Sequence, residues 1–396
     1  MSLYFLINSL AGGGAEAVLV RIAKYLKPKK IFLLEREVKY TIDESLISFL
    51  SNHTGDTNSI FKTFYIPVYG AKFSKKIESN DLVISFLERA NFVNVISKYI
   101  RSHKAIVSVQ TDPISGHIRI NKVLIKILYN KADFIITVSQ GVANSLEALG
   151  VQKSKIRVIY NPIFLKEIIE KSKEDIEDIF ERRDFLITVG RLTKAKGQWH
   201  LLRIFKELKR EFPELKLLLL GEGELKRFLV NLSLEFGFRT YVWNKDKLSE
   251  NYDVYFMGFK DNPFKYITRA KLFVLPSLWE GFGNVLVETL ACGTAIVASD
   301  CRSGPREILA PDTEITYQTK VPEFAKFGIL MPILESNLKN TETLTEKESI
   351  WLETIKILLK NESLIKDYQG KALERAKDFD ISKIIENWYR VIQDVS

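Results

Sequence analysis

Short apolar runs rich in branched side chains recur along this chain, and each is followed by a stretch with helical spacing. In the first part, residues 3–7, 81–86 (DLVISF), 105–109 (AIVSV) and 133–138 (DFIITV) read as strands, and 15–26 as a helix. A second series starts at Phe185, with 185–189 (FLITV), 215–220 (LKLLLL), 252–257, 272–275 (LFVL) and 295–298 (AIVA). Alternation of this kind predicts an α/β chain with parallel sheets covered by helices on both faces. The two series also open alike. Strand 3–8 passes through Gly12, Gly13 and Gly14 into a helix, and strand 185–189 passes through Gly190 and Gly197 into a helix over 198–208. One doubly wound unit is therefore used twice. The Asn161-Pro162 turn and the polar stretch after it predict a first domain over 1–165 and a linker over 166–184. A second domain then covers 185–378. A closing helix lies within 379–396, where Trp388 and Tyr389 mark a face that packs on a core, with the first domain as its expected partner. Residues 311–350, with Pro311, Pro322 and Pro332, read as an irregular surface excursion.

The bulk properties narrow the function classes. No stretch approaches the roughly 18 uninterrupted apolar residues of a membrane-spanning helix. The apolar start has no basic region before it and meets glycines too early for a signal peptide. Cys292 and Cys301 have neither metal-ligand spacing nor the pattern of a disulfide framework, which suits a reducing cytoplasm. The net charge of +9 is one-sided, because residues 1–170 hold 23 Lys and Arg against 14 Asp and Glu. That excess fits an anionic partner, and it also fits a plain lysine-rich surface.

Three constellations carry chemistry. Glu280 sits in a turn with Gly281 and Gly283 after an apolar strand, and helical spacing resumes at Asn284. Glu288 falls about 1.5 helical turns beyond Gly283. Two carboxylates so placed can address two parts of one extended ligand, since each accepts hydrogen bonds from neighbouring hydroxyls. Alone, the pair could equally be helix decoration. The second constellation is Gly190 to Gly197 (GRLTKAKG), where Arg191 offers a planar fork and Lys196 a point charge to phosphate oxygens. An ordinary solvated basic loop remains the alternative. The third is Gly12-Gly13-Gly14, which permits close backbone approach but matches neither a dinucleotide fingerprint nor a Walker loop.

Together these segments resemble the large retaining glycosyltransferase family 4, which has the GT-B fold of two Rossmann-like domains facing across a cleft. The resemblance runs through nearly the whole chain. Glu280 and Glu288 match the E-x7-E motif within FVLPSLWEGFGNVLVETLACGTAIVASD, and Arg191 and Lys196 match the diphosphate-binding pair. The segments 132–139, 156–162 (IRVIYNP), 221–223 and 257–259 also match. The resemblance implies catalytic roles for Glu280, Arg191 and Lys196. It implies donor binding by Glu288, by the backbone of Phe282, Gly283 and Asn284, by the loop after Gly258, and by Gly13 and Gly14. It implies retention of configuration by front-face displacement, with no metal and no other cofactor. One departure stands out. Ser108-Val109-Gln110-Thr111-Asp112-Pro113 holds no histidine where many relatives carry one, and His103 and His117 only flank it. The stretch 238–252 is also longer than usual.

The run 300–309 (DCRSGPREIL) is similar to the branch that builds bacterial surface polysaccharides and lipid-linked oligosaccharides. That implies a UDP-hexose or UDP-N-acetylhexosamine donor, with GDP-mannose as the alternative. It also implies a glycan or polyprenyl-diphosphate-linked acceptor, and no nucleic acid. Arg306 reads either as a donor-binding residue or as a structural arginine. The segment 116–131 mixes Val123, Leu124, Ile127 and Leu128 with Arg119, Lys122, Lys126 and Lys131. It reads either as a core-facing helix or as a contact with an anionic membrane surface at the inner face of the cell membrane. The rival classes are a sugar-nucleotide epimerase on the same fold, which needs no acceptor, and a non-catalytic glycan-binding protein.

Overall fold

Tyr4, Phe5, Leu6 and Ile7 are all buried, as a strand covered on both faces requires. The computed structural model describes every residue except 115–121, 182–183, 339–342 and 396. The first unit comprises Met1–Pro162 and Phe379–Ser396, and the second comprises Ile163–Asp378.

In the first unit β1 (Leu3–Ile7) leads to α1 (Gly14–Leu26), β2 (Lys30–Leu33), β3 (Ile47–Phe49), α2 (Ser59–Phe64) and α3 (Ile66–Ser74). Then follow β4 (Leu82–Phe86), α4 (Glu88–Ile100), β5 (Lys104–Val109), α5 (Lys122–Tyr129), β6 (Phe134–Thr137), α6 (Gln140–Ala148) and β7 (Ile156–Val158). The strands form one parallel sheet in the order β3-β2-β1-β4-β5-β6-β7. The chain winds outward from β1 in one direction and then resumes at β4 on its other side. The crevice of a doubly wound sheet therefore opens between the ends of β1 and β4.

The second unit begins with α7 (Leu165–Ser172) and β8 (Phe185–Val189), followed by α8 (Gln198–Glu211), β9 (Lys216–Leu220), α9 (Lys226–Glu235), β10 (Thr240–Val242) and β11 (Val254–Gly258). It continues with α10 (Phe264–Ile267), β12 (Leu272–Leu275), α11 (Asn284–Ala291), β13 (Ile296–Ser299) and α12 (Pro305–Leu309). The hairpin of β14 (Glu323–Phe324) and β15 (Ile329–Met331) comes next, then α13 (Glu346–Lys360) and α14 (Glu362–Ala376). The order β10-β11-β9-β8-β12-β13-β15-β14 puts the reversal of winding between β8 and β12.

Three stretches differ from the sequence reading. The stretch 166–184 belongs to the second unit. There α7 packs on α10 and α11, Asn262 donates to the Lys171 carbonyl at 2.9 Å, and Tyr266 donates to Glu177 at 2.8 Å. The stretch 238–252 supplies the edge strand β10. Within 311–350, the segment 327–334 is core, since Phe327, Ile329, Leu330, Met331 and Leu334 are buried, while 311–326 is mostly exposed or half-buried as expected. The second core also holds α13 against α8 through charge. The buried Glu348 carboxylate caps its own helix at Thr345 and accepts from His200 Nδ1 (2.6 Å) and Arg203 Nε (2.8 Å). Burial raises the Glu348 pKa, but these hydrogen bonds outweigh it and hold the group below its ordinary value.

The last helix, α15 (Ile381–Val395), belongs to the first unit. Ile381, Ile384, Ile385, Trp388, Val391 and Val395 form its buried stripe at helical spacing. Trp388 lies 6.1 Å from the Phe86 ring at the end of β4, and Tyr389 donates to the Tyr25 carbonyl on α1. Trp388→Ala should therefore destabilise the first unit by about 3–5 kcal/mol, the usual cost of emptying a buried aromatic site. Urea unfolding of the variant would show this as a lowered midpoint, and an unchanged midpoint would show that α15 is not part of that core.

Candidate functional site

Five loops leave the C-terminal edge of the second sheet, and glycines let them lie directly on one another. Gly197 has a left-handed backbone (φ +62), and a Cβ there would stand 2.2 Å from the Pro276 carbonyl oxygen. At Gly304 (φ +94) a Cβ would stand 1.9 Å from the Phe282 carbonyl oxygen, and at Gly221 it would stand 2.0 Å from that of Gly190. Backbone hydrogen bonds complete the knit. Leu278 donates to Ala195 (2.8 Å), Leu192 to Glu222 (2.9 Å) and Gly221 to Gly258 (2.8 Å). The loops after β8, β9, β11, β12 and β13 are thus one rigid rim around the point where the winding reverses.

Glu280 and Lys196, 84 residues apart, meet on that rim with Nζ 2.5 Å from Oε1. Ser277 donates to the same carboxylate oxygen at 2.7 Å, and Cys301 donates to the Ser277 carbonyl at 3.2 Å. The Glu280 side chain is only 9% exposed and that of Lys196 18%, so both are fixed yet reachable. Arg191 is on the same loop as Lys196 and is exposed. Its carbonyl accepts from Gln198 Nε2 at 3.1 Å, which pins the loop while leaving the guanidinium on the surface. Burial, with Glu280 adding to it, keeps Cys301 a protonated thiol. Burial does the same for Cys292.

Gly283 (φ +92) is the N-cap of α11, and a glycine has no side chain to cap the first turn. A helix start of this kind, with its positive end at the rim, suits an oxygen-rich or anionic ligand. Phe282 is buried, and its carbonyl faces Gly304. Glu288 is half-buried in the second turn of α11. Gly258 (φ +68) ends β11, and Trp243 and Glu222 crowd its α-carbon. Lys260 stands 3.4 Å from the centre of the Trp243 ring. The structure thus gathers Arg191, Lys196, Glu280, Phe282, Gly283 and Asn284 on one rim, with Glu288 and Gly258 on the adjoining elements. Sequence reasoning missed Ser277 and Gln198, which orient this group. Ser277 stands three residues before Glu280, in the segment that carries the glutamate motif, but nothing in the sequence marks Gln198.

Arg306 does not join them. Its guanidinium is buried and fully engaged, with Nε and Nη2 on Asp300, Nη2 and Nη1 on Glu323, and Nη1 also on Thr313. Tyr317 covers its face at 5.0 Å. Arg306 is therefore a structural tie between the β13 loop and β14, and not a donor-binding group. Burial raises the pKa of its partner Asp300, and the hydrogen bonds from Arg306 and Thr319 oppose that rise.

Gly13 and Gly14 are in the first unit, at the β1 end of its crevice. The Gly13 amide is taken by the Glu16 carboxylate in a capping box, and the Gly13 carbonyl accepts from the Tyr40 hydroxyl at 2.8 Å. That amide is not available to a ligand as the structure stands. His103 is buried under α4, with Nδ1 at the Arg101 carbonyl and Nε2 at Asn94 Oδ1. Burial lowers its pKa, and its partners make it a structural histidine. His117 and Arg119 lie outside the described residues. Among the described residues no three His, Cys, Asp or Glu side chains gather as metal ligands, and no helix is long and apolar enough to cross a membrane.

Comparison with known proteins follows the same division. Residues 81–167 match the family described as Glycosyltransferase Family 4, and residues 170–326 match Glycosyl transferases group 1. An uncharacterised glycosyltransferase of Methanocaldococcus jannaschii is 32% identical, with 95% of each chain covered. The N-acetylgalactosamine-N,N'-diacetylbacillosaminyl-diphospho-undecaprenol 4-alpha-N-acetylgalactosaminyltransferase of Campylobacter jejuni is 31% identical, covering 96% of this chain and 95% of that one. Among solved structures, Anabaena HepE in complex with UDP-glucose superposes with a TM-score of 0.73 at 18% identity, with both chains covered completely.

The glycine knit makes a graded prediction. Gly197→Ala and Gly304→Ala should each destabilise the second unit by more than about 3 kcal/mol, because backbone must move to admit the methyl group. Gly293 is also left-handed (φ +71) but has open space around it. Gly293→Ala should therefore cost only the conformational strain, about 1–2 kcal/mol. Thermal melts of the three variants side by side would check the order, and equal losses would disprove it.

Proposed function

This chain belongs to glycosyltransferase family 4 and has the GT-B fold, and on that premise we propose that it transfers a sugar from a UDP-hexose or UDP-N-acetylhexosamine, with retention, to a lipid-linked glycan. The observation that carries this reading is the Lys196–Glu280 pair on the rim, beside exposed Arg191 and the glycine that starts α11. A nucleotide diphosphate brings negative charge to this point. Lys196 would exchange Glu280 for a phosphate oxygen, and Arg191 would fork onto another. Glu280, released from Lys196 but still held by Ser277, would accept hydroxyls of the transferred sugar. Glu288, deeper on α11, would accept the ribose hydroxyls.

The bond from the sugar C1 to the leaving phosphate oxygen breaks while the acceptor oxygen bonds C1 on the same face. The acceptor proton passes to the departing phosphate. The main task of the protein is then to stabilise charge on that phosphate, which Arg191 and Lys196 are placed to do. In this reading the two cations meet the diphosphate charge without a metal. The acceptor class follows the Campylobacter relative, whose own acceptor is named as a diphospho-undecaprenol-linked sugar. Such an acceptor puts the chain at the cytoplasmic face of a membrane.

Incubation with short polyprenyl-diphosphate-linked glycans and a panel of UDP-sugars and GDP-mannose, read by mass spectrometry, tests the reading. A mass increase of one sugar with a UDP donor is expected, and NMR of the product should show an α-linkage. No transfer from any donor, or a β-linked product, would overturn it. Arg191→Ala and Lys196→Ala should each lower kcat by about 10²–10³-fold. Full activity in either variant would favour a non-catalytic or differently organised site. Activity should also survive EDTA, and loss of activity restored by a divalent cation would refute the metal-free mechanism.

A further inference from the structure

Helix α2 is built the wrong way round for a soluble surface. Its lysine is inside and its apolar residues are outside. Lys62 is buried at 4% exposure, with Nζ on Glu35 (2.8 Å) and on the Thr54 carbonyl (3.0 Å). Arg89, at the start of α4, pairs with the same Glu35 at 2.6 Å. Ile60 and Phe64, by contrast, are 62% and 81% exposed. Phe61 is half exposed, with one face stacked on Tyr65 and an edge against His53. The buried ion pair and the aromatic cluster, in which His53 also bonds the Tyr69 hydroxyl, fix this orientation. The apolar side chains are therefore held outward rather than left outward by a loose helix.

The pattern continues across the join to α3. Ile60, Phe64 and Val68 are exposed at four-residue spacing, and exposed Lys72, Lys75 and Lys76 follow. Residues 59–76 contain no Asp or Glu. The described part of the 116–131 segment repeats the pattern. On α5, Val123, Leu124 and Ile127 are exposed beside exposed Lys122 and Lys126, with no acidic residue on the helix. Residues 116–121 lie outside the described residues. Helix α4 packs against both α3 and α5, so all three share one layer over the sheet. Lys62 ties α2 to Glu35 just beyond β2, which Arg89 just beyond β4 also holds, and this puts its first turn at the C-terminal edge where the crevice of the first unit opens.

We propose that the exposed face of α2–α3, assisted by α5, docks the first unit onto an anionic lipid bilayer, with Ile60, Phe64 and Val68 entering the interface and the lysines meeting lipid phosphates. The choice of occupant rests on charge. A strip of apolar side chains followed by lysines, with no acidic residue in 59–76, matches the apolar boundary and negative headgroups of such a surface. Docking by this edge would bring the crevice of the first unit to the depth at which a lipid-linked diphosphate emerges. That purpose rests on the acceptor proposed above, although the docking itself does not.

The full chain should sediment with vesicles of phosphatidylethanolamine and phosphatidylglycerol, less so as salt rises, and not with phosphatidylcholine vesicles. The double variant Ile60→Ser, Phe64→Ser should bind about tenfold or more weakly, because each lost contact removes transfer energy of that order. Lys72→Ala, Lys75→Ala and Lys76→Ala combined should flatten the salt dependence. The serine variant alters only exposed side chains, and unchanged transfer to a water-soluble short-chain acceptor would show that it is folded. Equal binding by wild type and the serine variant, or no binding by wild type, would overturn the proposal. So would a wild-type dimer that the serine variant loses without any vesicle binding, which would make this face a contact between copies. Vesicle binding in a protein that transfers no sugar would leave the docking standing and sink the proposed function instead.

Discussion

Gly197 rests on the Pro276 carbonyl, and Gly304 rests on that of Phe282. These contacts leave no room for a methyl group, and they set the spacing of the β8, β12 and β13 loops at the C-terminal edge of the second sheet. Because the β8 and β12 loops touch there, Lys196 and Glu280 reach each other across the reversal of winding. Because the β12 and β13 loops touch, Gly283 is placed to start α11 at the same rim. A loop that could drift by an ångström would not hold a diphosphate and a sugar in register.

Two ion pairs on this unit show how burial decides what a charge is for. Arg306 has every nitrogen on Asp300, Glu323 or Thr313 and is closed from solvent, so its charge binds one loop to another. Lys196 has one partner and partial exposure, so its charge can change partner when an anion arrives. A pair of the second kind adds little stability on its own. What it provides is orientation, since each side chain waits in the geometry in which the other holds it.

The first unit turns its polarity inward at two places. Beneath α4, Ser85, Asn91, Asn94, Ser108, Tyr129 and His103 form a buried hydrogen-bonded network. At the sheet edge, Glu35 holds Lys62 and Arg89. Satisfied networks of this kind fix helices at one rotation. For α2, that rotation leaves Ile60 and Phe64 in solvent.

The sequence by itself determined the doubly wound plan, since buried β-branched runs alternating with amphipathic helices have few other solutions. It also marked Arg191, Lys196, Glu280, Gly283 and Glu288, because glycine turns and charged residues after strands stand out locally. It could not show β10, β14 or β15, which are three residues long or shorter and give no periodicity to read. Nor could it separate Arg306 from Lys196. Both are basic residues that follow a strand closely, and only the fold brings Glu323 and Thr313 around the one and Glu280 to the other. It likewise gave no sign that Lys62 is inside and Phe64 outside, because the partner that draws the lysine inward, Glu35, lies 27 residues away. Local chemistry is written in neighbouring residues, but partners distant along the chain exist only once the strands have paired, and it is those partners that decide whether a charge is structural or free to act.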